Sequence, residues 1–189
     1  LACRLDVSGN YSGGWVDRGR NNDATFSGAL LWQARPDLQL TLTHAQGYQQ
    51  PMRYFGTPLV EGRQLEALRH RNYNVDDSEI RFRDRWTQLD AQWTPNANVD
   101  WRTRLYQIDS QRDWRNAEAY VYNPRTGLVD RSGNTQITHN QDQTGLTSTL
   151  RAQGNVGAWA NSFAVGLDAN RAHFKHTNNT YAGSSGPVD

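Results

Sequence analysis

Much that an enzyme or a helical membrane protein needs is missing from this sequence. No apolar run approaches the ~18 residues of a transmembrane helix. A single cysteine, Cys3, excludes an intrachain disulfide and any Cys-based metal spacing. The 20 basic and 19 acidic residues leave a net charge of +1 with the signs interspersed, so the electrostatic footprint of a nucleic-acid binder is absent. HExxH, GxSxG, P-loop and Rossmann fingerprints are lacking too. His173 and His176 are three residues apart, which places them on opposite faces of a strand, and His44, His70 and His139 lie far from them in sequence. The carboxylate pair Asp76-Asp77 falls in a loop with no supporting context. No catalytic residue, no metal site and no enzyme activity are therefore expected.

What is present is alternation. Only 36% of the 189 residues are hydrophobic and the mean hydropathy is −0.86, yet 11% aromatics argue against disorder. A β-strand that crosses a membrane needs only about 9–11 residues with every second one apolar, so such a chain reads as polar overall. Leu5, Val7, Gly9 and Tyr11 share one face of a first strand over Arg4 to Ser12, against Arg4, Asp6, Ser8 and Asn10. A second strand over Ala24 to Gln33 sets Phe26, Leu30 and Trp32 against Thr25, Ser27 and Gln33, with Leu31 breaking the polar side. Leu38, Leu40 and Leu42 alternate with Gln39, Thr41 and Thr43 in a third. Thr87 to Trp93, Val99 to Tyr106, Thr144 to Ala152 and Phe163 to Asn170 continue the pattern, which predicts seven strands in up-and-down order.

The connections differ systematically. Short turn-like stretches fall at Ala34 to Asp37, Thr94 to Asn98 and Gln153 to Ala160. Opposite them come a Gly-rich link over Ser12 to Arg20 and long loops over Gln49 to Arg85 and Gln111 to Gln136. A short helix over Gln64 to His70 is an alternative within the first long loop. Inside the second, Tyr120 to Val129 reads as a hairpin with Pro124 and Gly127 at its turn. The tail from about Lys175 is Asn-, Gly- and Ser-rich and reads as loop.

Trp32, Trp93, Trp101 and Trp159 all lie within a few residues of the short turns. Tryptophan gathered at one level of an alternating sheet, with short turns at that end and long loops at the other, is the pattern of an outer-membrane β-barrel with an interfacial aromatic belt. Asp6, Asp90, Asp100, Arg102, Arg104 and Asp168 fall on the face opposite the Leu/Trp side, which a barrel would turn to its lumen, with a salt-bridge network among Asp90, Asp100, Arg102 and Arg104. No amphipathic helix offers a second layer to cover the apolar face. Seven is an odd count for a closed bacterial barrel. The expected fold is all-β, a partial transmembrane β-barrel of antiparallel up-and-down strands. The chain, which starts with neither Met nor a targeting segment, is expected to be an excerpt of a larger protein; Leu1-Ala2-Cys3 lacks the segments that precede a lipoprotein cleavage site.

Several ordered stretches resemble the TonB-dependent siderophore receptors of Gram-negative outer membranes. They are Arg4 to Gly9 with Gly14 to Arg18, Pro51 to Leu59, Arg71 to Val75, Asp84 to Thr87, Asp113 to Asn116 and Tyr122 to Gly127. The resemblance implies that residues 1–189 form part of the receptor's barrel domain, about seven strands of a barrel of about 22. The plug domain and the remaining strands would lie outside these residues. It also implies uptake of a ferric siderophore energised by the TonB complex through that plug, with outer-membrane lipid around the wall. Iron would arrive already chelated, so no cofactor is expected and the protein would supply aromatic faces and donors rather than metal ligands. On that basis Arg53, Tyr54 and Phe55 of the first long loop, with Trp114, Tyr120 and Tyr122 of the second, are the expected ligand-binding residues. An adhesin or other β-sheet binding module, soluble or on the cell surface, with no transport role, remains the alternative.

Overall fold

The computed structural model describes residues 1–180 and residue 187. Seven strands form one open antiparallel sheet in the order of the chain. They are β1 (Ala2–Ser12), β2 (Asn21–Arg35), β3 (Leu38–Gln50), β4 (Glu79–Asn96), β5 (Val99–Asn123), β6 (Leu128–Val156) and β7 (Trp159–Thr180). A single 3₁₀ turn, Glu66–Leu68, stands where a short helix is the alternative within Gln64 to His70.

The short reversals are made by local chemistry. The Thr94 N–H donates to the Asp37 carbonyl at 2.8 Å, tying the β2–β3 turn to β4. The Asn96 side chain accepts from the Asn98 N–H at 2.9 Å and closes the β4–β5 turn. Gly157, at φ 62, supplies the left-handed residue of the β6–β7 turn.

The strands run well past their predicted ends, and one loop disappears. Gln111 to Gln136 is not a loop: β5 and β6 keep one register from Val99↔Ala152 to Asn116↔Thr135 and on to Asn123↔Leu128, with Glu118 and Gly133 left out of the pairing. Only Pro124–Gly127 reverses the chain, at the tip of the predicted hairpin. β4 likewise begins at Glu79, inside the first predicted loop. β7 continues through Lys175 to Thr180, so strand occupies the start of the predicted tail loop. The rest of that tail, apart from Pro187, lies outside the described residues. The physical reason is that the apolar side of the band ends. In the upper parts of β5, β6 and β7 polar residues then stand on both faces, and in β4 the apolar residues Ile80, Phe82 and Trp86 pass to the opposite face, while backbone pairing continues.

Register shows how the apolar face is laid out. One cross-strand row reads Cys3, Leu30, Leu42, Leu89, Leu105, Leu146 and Ala169. Ala169 is the last apolar residue of that face on β7, whereas on β1 the apolar run continues roughly eight residues beyond Cys3, to Tyr11. At the short-turn end Trp32 shares a row with Leu167, and Trp159 lies roughly eight residues below it. Both limits of the apolar band therefore descend in the same sense across the sheet. With ~3.3 Å per residue and ~4.8 Å between strands, the slope is about 45°, close to the strand tilt that barrels adopt.

The interior is unevenly placed. Among the described residues the buried apolar side chains are Val16, Tyr73, Val75, Ile80, Ala117 and Val129, all at the long-loop end. Among the described residues the short-turn half has no second layer, and Leu5, Val7, Leu105, Phe163, Val165 and Leu167 are half or more exposed or nearly so.

Candidate functional site

At the long-loop end, residues 51–78 fold back onto the tops of β4, β5 and β6. The knot that holds them is Asn74, which is fully buried. Its side-chain oxygen accepts from the N–H of Val75 at 2.9 Å and of Ala117, on β5, at 3.1 Å. Its side-chain nitrogen donates to the Arg53 carbonyl at 3.3 Å. Its own carbonyl accepts from Arg18 at 2.8 Å and Arg131 at 3.3 Å. One amide thus joins the loop, the Gly-rich link and two strands. A buried amide so fully satisfied fixes a geometry, because each partner would be costly to leave unmade.

Around the knot, Arg18 acts as a clamp. Its backbone sits at φ 56, and its guanidinium pairs with Asp76 and donates to the Asn72 carbonyl at 2.7 Å. The His70 ring contacts the Trp15 carbonyl at 2.6 Å, and the Asp17 N–H donates to the His70 carbonyl at 2.8 Å. Trp15, Arg18, Asn72, Asn74 and Asn116 were not among the expected site residues. The tract Asn72-Tyr73-Asn74 was the available signal, since Asn favours side-chain-to-backbone bonds in turns.

The six expected residues are held in different ways. Arg53 is built into the loop and donates to the Ser78 carbonyl at 2.9 Å. Tyr54 stacks edge-on against Trp15 at 5.1 Å, with its hydroxyl 2.7 Å from that of Thr57. Phe55 is 40% exposed and meets Trp114 of β5 edge-on at 5.7 Å. Trp114 in turn donates to the buried Asn116 side chain. Tyr120 packs near Tyr73 at 6.4 Å. Tyr122 lies two residues further along β5, opposite Val129. The structure therefore brings Phe55 and Trp114 into contact, and both loops converge at one end of the sheet.

At the opposite end Trp32, Trp93, Trp101 and Trp159 lie on the apolar face, as the alternation requires. Trp93 and Trp101 are cross-strand partners with ring centroids 5.9 Å apart. Trp101 donates to Ser148 and Trp93 to Asp37, each at 2.8 Å. That Trp93 bond first, and Arg35 second, hold the Asp37 carboxyl below the ordinary carboxylate range. On the polar face Arg104 pairs with Asp90 at 2.7 Å and Arg102 with Asp100 at 2.8 Å, as two separate pairs rather than one network. His173 faces Asp142 on the apolar side, and His176 faces His139 on the polar side with rings 4.6 Å apart.

This architecture is similar to known receptor structures. The fold of the ferric preacinetobactin receptor BauA from Acinetobacter baumannii matches 98% of this chain with a TM-score of 0.74 at 12% identity. FpvA of P. aeruginosa, in an iron complex with a heterologous pyoverdine, matches 95% of it with a TM-score of 0.71 at 13% identity. The chain spans 28% and 25% of those two proteins. No family model and no curated protein matches the sequence. At such identities the likeness is one of fold: seven up-and-down strands arranged as part of a receptor barrel.

Proposed function

We propose that this sheet is an arc of the wall of an outer-membrane receptor that takes up a ferric siderophore. The observation that carries the reading is the sloping apolar band, bounded by tryptophan at the short-turn end and backed by a polar face. A lipid layer is the partner such a band fits, because no second layer covers it among the described residues and the slope matches barrel tilt. The remaining strands, the plug and the coupling to TonB belong to the rest of that receptor, which completes the pairing of β1 and β7.

Ligand capture falls to the long-loop end. Phe55, Trp114, Tyr120 and Tyr122 offer aromatic surface to a chelate, while Arg53 and Tyr54 hold the loop that presents Phe55. Iron stays in the siderophore's coordination sphere, and the protein contributes no ligand to it.

The test is cell fractionation with an antibody against residues 51–78, in cultures grown with and without iron. A band much larger than 21.5 kDa in the outer membrane, rising on iron starvation, is expected. A detergent-independent band insensitive to iron would sink the reading and leave an adhesin-like binding module in its place.

A further inference from the structure

A groove of about 510 Å³ opens on the apolar face, at the long-loop margin of the band. Its lining changes character from one side to the other. Val7 of β1, Phe26 of β2 and Tyr48 of β3 give an apolar side, and Arg83 and Arg85 of β4, with Asp109 of β5, give a charged one. Alternation puts all six on the same face: Val7, Phe26, Arg85 and Asp109 share one row, and Tyr48 stands directly opposite Arg83.

The two arginines differ in their engagements. Arg85 gives one guanidinium nitrogen to Asp109 at 3.1 Å. Arg83 is exposed and has no salt bridge or hydrogen bond among the described residues. Asp84, also on the groove's margin, is occupied by Arg112 and Ser110. The groove therefore carries one uncompensated positive charge beside aromatic and aliphatic surface. Two residues apart on one strand, the guanidinium groups start from Cα atoms about 7 Å apart, a span that one phosphate group or a pair of them can bridge.

We propose that this groove seats a phosphorylated lipid headgroup, with phosphate on Arg83 and Arg85 and the acyl part running down over Phe26 and Val7. The inference rests on the outer-membrane reading and adds a specific occupant to it. Its location supports a lipid rather than a free anion: the charged wall begins where the apolar band ends, at the height where headgroups meet acyl chains.

The intact receptor, purified from membranes in a neutral detergent, would be titrated by native mass spectrometry. The probes are a diphosphorylated acyl-glucosamine lipid, the same lipid without its phosphates, and inorganic phosphate. Preferential retention of the phosphorylated lipid is expected, with at least tenfold weaker binding in Arg83→Glu and no competition from millimolar inorganic phosphate. Lys175→Glu, an exposed cation in the Arg83 row but outside the groove, should leave binding unchanged. Equal retention of both lipids, full binding by Arg83→Glu, an equal loss in Lys175→Glu, or displacement by inorganic phosphate would overturn the seat. The two readings fail separately. A receptor that stays in the membrane but does not discriminate between the lipids loses the seat and keeps the barrel, whereas one recovered without detergent loses the barrel and the seat with it.

Discussion

The two ends of the sheet are stabilised in opposite ways. The long-loop end carries the buried residues, and it packs them around a polar knot of asparagine and arginine. At the short-turn end the Leu and Trp side chains lie uncovered on one face, held to each other by pairing and by a few side-chain bonds. The first end therefore folds against itself, while the second depends on what surrounds it. A protein built this way has one half that reports on its environment and another that reports on its own hydrogen bonds.

The largest effect should come from breaking the half proposed to face lipid. Val165 sits midway along the apolar face of β7, between Trp159 and Ala169. On the proposed barrel reading, Val165→Arg would place a guanidinium near the bilayer centre and cost about 2–4 kcal/mol. Thr41→Arg, on the polar face of β3, should cost less than about 1 kcal/mol, because lumenal positions tolerate charge. Denaturant unfolding of the intact protein in lipid vesicles measures both. Equal costs at the two positions would show that the faces are not distinguished by lipid.

Breaking the other half should leave the band untouched. Asn74→Ala removes the acceptor of two buried backbone N–H groups, Val75 and Ala117, at a cost of about 2–3 kcal/mol. The cost should be local. Hydrogen exchange and proteolysis should accelerate across residues 51–78, with affinity for the proposed siderophore falling, while unfolding of the strands in lipid keeps its midpoint. A lowered midpoint throughout would mean that the two halves are coupled and do not stand independently.

The same difference between the ends explains which parts of the molecule are legible in the sequence. In the band, one face must be apolar and the other polar, so Leu38, Leu40 and Leu42 against Gln39, Thr41 and Thr43 announce a strand and its orientation. Above the band that requirement ends. In β4 the period persists with its faces exchanged, Ile80, Phe82 and Trp86 lying opposite Arg81, Arg83 and Arg85. In β5, Asp109, Gln111 and Asp113 on one face alternate with Ser110 and Arg112 on the other, and no hydrophobic period marks the strand. Hence the residue pattern predicts β5 and β6 too short and reads a paired extension as a loop. In the candidate site, aromatic residues such as Phe55 and Trp114 stand out by type. Asn74 and Asn116 do not, because a buried asparagine is identified by its partners, and those lie about forty residues away for the Asn74–Ala117 bond.

A smaller effect probes packing on the polar face. Tyr106 of β5 lies over Gly145 of β6, its cross-strand partner, and an added Cβ there would overlap the ring. Its hydroxyl also accepts from Gln143 at 3.2 Å. Gly145→Ala should swing the ring aside, break that bond and cost about 1 kcal/mol, the scale of one net hydrogen bond. In a Tyr106→Ala background, where the ring and its bond are already gone, Gly145→Ala should cost little, since nothing is left to overlap. A cost that persists in that background would place it in the β6 backbone instead.

The smallest effect tests the tie between the tryptophan belt and the turns. Asp37 lies between β2 and β3, outside the strands, and accepts from the Trp93 indole at 2.8 Å and from Arg35 at 2.7 Å. Its folded pKa is lowered below the ordinary value of 3.8, the indole bond being the larger cause and Arg35 the next. The sign is set by that direction: the carboxylate form is favoured in the folded state, so the stabilisation is complete above the unfolded pKa and is lost as pH falls through the lower folded value. Acidification from neutrality should therefore leave Trp93 emission flat until pH drops below 3.8, and then change it. Because the carboxylate is only partly buried, the change in stability should be slight. Asp37→Asn keeps a side-chain acceptor for the indole but cannot titrate, so it should abolish the acid step while preserving the neutral-pH spectrum. An acid step that persists in this variant would assign the titration to another carboxylate near the belt and leave the Asp37–Trp93 bond without a measurable part in holding the turn.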